Sequence, residues 1–401
     1  MECRVCDSKR LELVFDLGLQ PWGNHFLKPE EVGKEPFYPL RLLFCLDCST
    51  TQLDHTLKKE VMFSDHTYLS GVTKSLGDHF QEVADYVDLK YFKERPNKSV
   101  LDIGSNDGTQ LKKYKKLGYE VLGVESSKGI SRIANINGIP TINDFFNAPL
   151  ASALGKKFTV INASGVFFHL EELHSVTEGI KDSLEDDGIF VVQFLYMKKI
   201  LENLAFDQIY HEHLLYYNLF PIELLLQRHG LSMIDAYVSS IHGGSVIGFV
   251  THKNRASKSK RLQNLLVQEE VQGANKIEGY KRFSLNVKEL KSSNLQYLDA
   301  AKKNGKKIFG FGAPVKGNTL LNYFDIGTET LDCLVEKNEL RKGLFSPGKH
   351  IPIVIERELQ DLPDIYYVLA WNFKKEILKN NEDLLKHGVQ FYFPINPKGE
   401  K

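Results

Sequence analysis

The sequence predicts an α/β protein in three parts: a cysteine-bearing head, a central doubly wound sheet and a second α/β lobe. Three observations predict it. Four of the five cysteines fall before residue 50, as Cys3-x-x-Cys6 and Cys45-x-x-Cys48. From Ser99 onward, short apolar segments alternate with polar helical ones, and the first breaks at glycine. Late in the chain, Lys307-Ile308-Phe309-Gly310-Phe311-Gly312 repeats that strand-to-glycine grammar.

Composition narrows the classes. Of 401 residues, 42% are hydrophobic, with 25 Phe and 17 Tyr, so a largely disordered chain is excluded. Basic and acidic residues number 51 each, and a net charge of zero argues against nucleic acid as the main partner. No stretch reaches the roughly 18 apolar residues of a membrane span. Met1-Glu2-Cys3-Arg4 opens no apolar signal region. The expectation is a soluble cytoplasmic chain, where clustered cysteines point to metal rather than disulfides.

The head is expected over residues 1–76. Between its cysteine pairs lie Pro21, Pro29, Pro36 and Pro39 with Gly18, Gly23 and Gly33, which predicts loops and short strands. So irregular a segment buries little core. Four thiolates on Zn²⁺ (Cys3, Cys6, Cys45, Cys48) would close it, and a four-ligand site has no open position, so the metal is expected to be structural. Redox-active or incidental cysteines are the alternative.

The central part is expected over residues 77–238. Phe80, Val83, Ala84 and Val87 mark an opening helix, and Ser99–Ile103 an apolar strand. Lys112–Lys116 is polar and helical. Glu120–Val124 is a second strand, ending at Glu125. Phe158–Asn162 and Ile189–Gln193 are further strands. The first strand turns at Asp102-Ile103-Gly104-Ser105-Asn106-Asp107-Gly108, where Gly104 and Gly108 let the backbone approach a ligand. Glu125 follows Gly104 by 21 residues, the place where a doubly wound sheet holds a ribose diol. The loop is not GxGxxG, and its acids would repel a pyrophosphate. A sulfonium cation carrying an amino acid suits it better, so S-adenosylmethionine (SAM) is the expected cofactor. The expected cofactor residues are Asp102, Gly104, Asn106, Asp107, Gly108, Glu125 and Asn162, with Asp144 as acceptor and Phe145 as an adenine wall.

Histidines mark the expected reacting centre. Tyr210-His211-Glu212-His213 is not HExxH, and its alternate spacing does not put both histidines on one helical face. In an extended segment they would point the same way, so metal stays open; a core or surface histidine pair is the bland reading. His169 follows the fourth strand, at the carboxyl end where such sheets bind ligands. A Glu–His pair near a sulfonium methyl suits proton abstraction from carbon beside a carbonyl, with a Tyr or His donor for the enolate. Methylation of oxygen or nitrogen needs less apparatus, because those atoms already carry lone pairs.

The last part is expected over residues 239–401. Lys253–Arg261 is a basic surface loop, and residues 262–303 have helical period. The Gly310–Gly312 turn opens a second Rossmann-like unit, whose next strand also ends in an acid, Glu336. Pro314 removes an N–H where a phosphate cradle needs one, which argues against a second dinucleotide. Lys316 and Asn318 are instead expected to reach a substrate nucleotide across the domain cleft.

Taken together, these segments resemble the sugar C-methyltransferase family of deoxysugar biosynthesis. The resemblance spans nearly the whole chain. It rests on the two CxxC pairs, Leu101–Gly108, Phe206–His213 with its YHEH, Ile241-His242-Gly243-Gly244-Ser245, Gly310–Tyr323 with GAPVKGNTLLNY, and Pro347–Pro352. It implies an N-terminal zinc-binding domain, a central SAM-methyltransferase (Rossmann-like) domain and a C-terminal Rossmann-like domain. It also implies methyl transfer from SAM to a ring carbon, usually C3, of a nucleotide-linked 4-keto-6-deoxysugar, often dTDP-linked. Carried over by motif, His213 is the general base, with His211 as the alternative. Tyr210 and Glu212 orient the base or stabilise the enolate, and His169 is an active-site histidine. Tyr68, in Tyr68-Leu69-Ser70-Gly71, is contributed by the head to catalysis and substrate, and His242 joins Lys316 and Asn318 in binding substrate. The expected partner is the keto-sugar alone, without nucleic acid or membrane, and the chain is expected to be a monomer. Gln193 stands where relatives carry Glu, and Ala163-Ser164-Gly165 replaces an Asn-rich turn, which bears on which sugar is used. A zinc-headed regulatory protein with a relic core, or an O-methyltransferase, would be the other readings.

Overall fold

The structure, a computed structural model, describes residues 1–64, 69–72 and 74–396. Its head is an antiparallel sheet of β1 (Leu11–Pro21), β2 (Phe37–Cys45), β3 (Thr51–Leu53) and β9 (Leu215–Tyr216), in the order β1-β2-β3-β9. β1 and β2 are longer than the Pro and Gly content predicts, because two register shifts absorb the interruptions. Each cysteine pair forms the same turn. Cys3 N–H donates to Ser8 and Asp7 N–H to Cys3, while Cys45 N–H donates to Thr50 and Ser49 N–H to Cys45. Asp7 and Ser49 take the left-handed conformation that closes each turn (φ 62° and 59°).

The central sheet has seven strands. They are β4 (Ser99–Ile103), β5 (Glu120–Val124), β6 (Thr141–Ile142), β7 (Phe158–Ser164), β8 (Leu184–Leu195), β10 (Leu231–Ser239) and β11 (Ser245–His252). Their order is β10-β11-β8-β7-β4-β5-β6. The pairs from β8 to β6 are parallel, whereas β11 runs antiparallel to both β8 and β10. From β4 the chain leads to β5 and β6 on one side and to β7 and β8 on the other. This reversal opens a crevice at the carboxyl ends of β4 and β7, the usual ligand position in such sheets. Every residue of β4 is buried, as a strand covered on both faces requires. β11 lies beyond residue 238, so this sheet runs on to His252.

The last sheet is wholly parallel: β12 (Ile308–Phe311), β13 (Leu334–Glu336), β14 (Ile353–Ile355), β15 (Ile365–Val368) and β16 (Gln390–Tyr392), in the order β14-β13-β12-β15-β16. The helical stretch over 262–303 is two helices, Lys260–Val271 and Ile277–Lys303, parted at Gly273 with φ +65°. One continuous apolar core joins all three parts. Phe15 of the head meets Phe206 edge-on at 6.5 Å, and Phe206 stacks on Phe324 of the last part at 5.0 Å.

Candidate active site

At the turn after β4, Gly104 and Gly108 have φ +67° and +77°. A Cβ on Gly104 would lie 2.6 Å from Val166, and one on Gly108 2.9 Å from Ile139, so only glycine lets these segments close. Glu125, buried at the end of β5, holds the turn: its carboxylate accepts the N–H groups of Asn106 (2.9 Å) and Ser127 (2.8 Å). The Asn106 side chain accepts Ser70 N–H, and Asp107 accepts Gly71 N–H and Thr109 N–H. Asp102 pairs in register with Asn162 on β7. Asp102 Oδ1 and Asn162 Nδ2 are buried and have no hydrogen-bond partner among the described residues. Burial, reinforced by Glu125, holds the Asp102 carboxyl well above its ordinary value. SAM would relieve both atoms, its ammonium donating to Asp102 Oδ1 and its carboxylate accepting from Asn162 Nδ2–H, so the residues fit SAM. Asp144 is exposed and accepts Phe145 N–H, while the half-buried Phe145 ring lies under Lys59 at 4.7 Å.

The histidines stand on the same edge. His169 follows β7, its N–H bonded to Val166, the residue packed on Gly104. Phe63 of the head bridges the two regions. Its carbonyl accepts Ser126 Oγ–H at 3.4 Å, next to Glu125, and its ring lies 5.1 Å from His169. The His213 ring is 5.1 Å from His169, 4.6 Å from Phe168 and 3.9 Å from Tyr210. His169 Nδ1–H donates to the Glu212 carbonyl at 2.5 Å, and Trp22 Nε1–H donates to the Glu212 carboxylate at 2.8 Å. His213 Nδ1–H donates to the Gln208 carbonyl at 2.9 Å, which leaves the lone pair on Nε2. Burial, and after it the His169 charge, pushes His213 well below its ordinary value, against the Gln208 carbonyl. His213 is therefore neutral at pH 7.

His211 faces elsewhere. Its Nε2–H donates to the Pro39 carbonyl of β2 at 3.2 Å, and its ring sits 5.9 Å from Tyr38. Burial lowers it to about 4. The segment is a turn, with His213 N–H on the Tyr210 carbonyl, so the two imidazoles do not share a side as in an extended strand. Tyr68 lies outside the described residues.

The remaining expected residues are engaged within the chain. Asn318 Nδ2 donates to the Gly23 carbonyl of the head at 2.7 Å. Lys316 Nζ lies 3.8 Å from Asp207 and 3.7 Å above the Trp371 ring. Burial works against both charges, pushing Asp207 up and Lys316 down to about 8, while each opposes the shift of the other. His242 is exposed, on a left-handed turn with φ 55°. Sequence reasoning missed Trp22, Phe63, Asp207 and Trp371, because their partners are distant in the chain, and Gln208, because its contact depends on the shape of the turn before His213. It also passed over His79, whose Nε2–H reaches Gln193 at 2.7 Å.

The four cysteine sulfurs lie within 4.8 Å of one another, with Cys3–Cys48 at 3.5 Å and Cys6–Cys45 at 3.6 Å. Zn–S bonds of about 2.3 Å set tetrahedral sulfurs roughly 3.8 Å apart, so the cluster fits zinc with four protein ligands.

Three family models match successive parts of the chain. A zinc binding domain model matches residues 3–63, a methyltransferase domain model residues 76–236, and a C-methyltransferase C-terminal domain model residues 240–396. The chain is 28% identical to the C-methyltransferase NovU of Streptomyces niveus over 404 aligned residues, 98% of this chain and 95% of that protein. Among solved structures, magnesium protoporphyrin IX methyltransferase of Synechocystis PCC 6803 with bound SAM is 14% identical, over 44% of this chain and 79% of its own, with a TM-score of 0.34. The PH0226 protein of Pyrococcus horikoshii OT3 is 18% identical, over 49% and 100%, with a TM-score of 0.37.

Proposed function

Because the chain belongs to the C-methyltransferase family, with its zinc-binding head and its own C-terminal domain, we propose that it methylates a sugar at carbon. The donor is SAM. The acceptor is C3, beside the carbonyl of a nucleotide-linked 4-keto-6-deoxysugar carrying dTDP, in branched deoxysugar biosynthesis. SAM supplies an electrophilic methyl on a sulfonium. The chain's residues do the rest. Gly104, Asn106, Asp107 and Gly108 shape the loop that receives the donor, Glu125 faces its ribose, Asp102 answers its ammonium and Asn162 Nδ2–H its carboxylate. His213 takes the proton from the carbon beside the ketone on Nε2, and Tyr210 and His169 stabilise the enolate. Glu212, tied to Trp22, holds the turn that carries the base. Tyr68, His242, Lys316 and Asn318 stand as the substrate residues of this reading.

The observation that carries the reading is the His213 imidazole, its Nδ1–H engaged by the Gln208 carbonyl so that the lone pair falls on Nε2, next to His169 on the edge that holds Glu125. Oxygen methylation needs less apparatus, because oxygen already carries a lone pair, and it requires no exchange at carbon. The test is incubation with dTDP-4-keto-6-deoxyglucose in D2O, with and without labelled SAM. The wild type exchanges the C3 proton without SAM and transfers methyl with it. His213→Ala loses both by roughly 100- to 10,000-fold while retaining SAM affinity. Methyl transfer to oxygen without C3 exchange would defeat the reading.

A further inference from the structure

We propose that Lys316 and Trp371 of the C-terminal domain, acting through the buried Asp207 carboxylate, are positioning residues for the His213 imidazole. The proposal rests on the reading of His213 as base.

Asp207 is the middle residue of the 3-10 turn Phe206–Gln208, whose three side chains are all buried. The turn lies in the central domain, but its grip comes from the C-terminal one. Trp371 Nε1–H donates to Asp207 Oδ2 at 2.6 Å. Lys316 Nζ lies 3.8 Å from the same oxygen and rests on the Trp371 face at 3.7 Å. Its ammonium has no hydrogen-bond partner among the described residues, where its attractions are the Asp207 charge and the indole face. Beneath them, Phe206 stacks on Phe324.

The next residue is the one His213 needs. The Gln208 carbonyl accepts His213 Nδ1–H, and a carbonyl can only accept, so it selects the tautomer with the lone pair on Nε2. Gln208 Nε2–H donates to the His242 carbonyl at 2.8 Å. A Cβ on Gly243 would lie 3.1 Å from Gln208 and 3.2 Å from Trp371, so this loop closes over the turn only as glycine. An unbalanced buried carboxylate is costly. Without Lys316 and Trp371, Asp207 would turn toward water and carry the Gln208 peptide with it.

The test uses the full chain with Trp371→Phe, which removes only the N–H, and Lys316→Met, which keeps the stem without the charge. Two readouts apply: the ¹⁵N spectrum of the His213 ring, and C3 deuterium exchange of dTDP-4-keto-6-deoxyglucose without SAM. The wild type shows Nδ1–H and a bare Nε2. Both variants gain the opposite tautomer and lose exchange by about 100-fold in kcat. Lys316→Arg, which keeps the charge, restores the wild-type spectrum. Should Trp371→Phe fail to fold, Lys316→Met decides alone. An unchanged His213 tautomer in the folded variants would overturn the proposal, whatever their rates. If instead His213→Ala retained exchange, the base assignment would fall, a distinct result from the first.

Discussion

Two histidines one residue apart end in different surroundings, and local backbone decides it. His211 is anchored to the head through the Pro39 carbonyl, and His213 to the Gln208 carbonyl beside His169. Alternation in an extended segment would point both the same way; the turn at Tyr210 separates them. Their burial has a consequence for stability. His211 is depressed from 6.5 to about 4 when folded, so between those values the unfolded chain binds a proton that the native chain does not. Stability is present above pH 6.5 and is lost as pH falls, by about 1.4 kcal/mol per unit for each such group. His211→Gln therefore flattens the decline between pH 6.5 and 5 in urea denaturation. A slope identical to the wild type would show that His211 is not buried neutral. The spacing of the YHEH residues is plain in the sequence, but their directions are not, because they are set by the shape of a local turn for His213 and by the distant Pro39 carbonyl for His211.

The same holds for elements. Both CxxC turns are readable from sequence, since each needs only a short local closure, and the structure gathers their sulfurs as one cluster. What the turns are attached to is not readable. β3 begins three residues after Cys48 and pairs with β9, which begins two residues after His213. Trp22 and Pro39 of the same head reach Glu212 and His211. The head that carries the cysteines is thus packed on the 210–216 segment, and zinc binding is expected to order it. Cys45→Ser should abolish stoichiometric zinc in elemental analysis and lower the melting transition by on the order of 5 °C. C3 exchange should fall with it, although no cysteine is among the residues about His213. Full zinc content with unchanged melting would remove the metal from the account. The strand–glycine–helix units were also legible: Glu125 and Glu336, each ending a second strand, each accept a backbone N–H of the preceding glycine loop.

At the scale of the molecule, the three parts are joined rather than strung together. A core of aromatic residues runs from Phe15 through Phe206 to Phe324. β11, past residue 238, lies between β8 and β10 of the central sheet. A chain ending at Val238 would leave the β8 and β10 edges bare, and should show no cooperative melting by circular dichroism. A sharp native-like transition in that chain would contradict the shared sheet. The sequence alone determined the α/β class, the paired cysteine turns and the two glycine loops with their acids. These depend on local periodicity and on residues that close short turns, which neighbours in the chain dictate. Only the tertiary structure decided that Gln208 would face His213, that Trp371 and Lys316 would hold Asp207, and that β9 would join the head. Apart from Gln208 and His213, which are close in the chain and meet across a turn, those contacts link residues far apart in the chain, and no local pattern encodes which distant partner desolvates a given side chain.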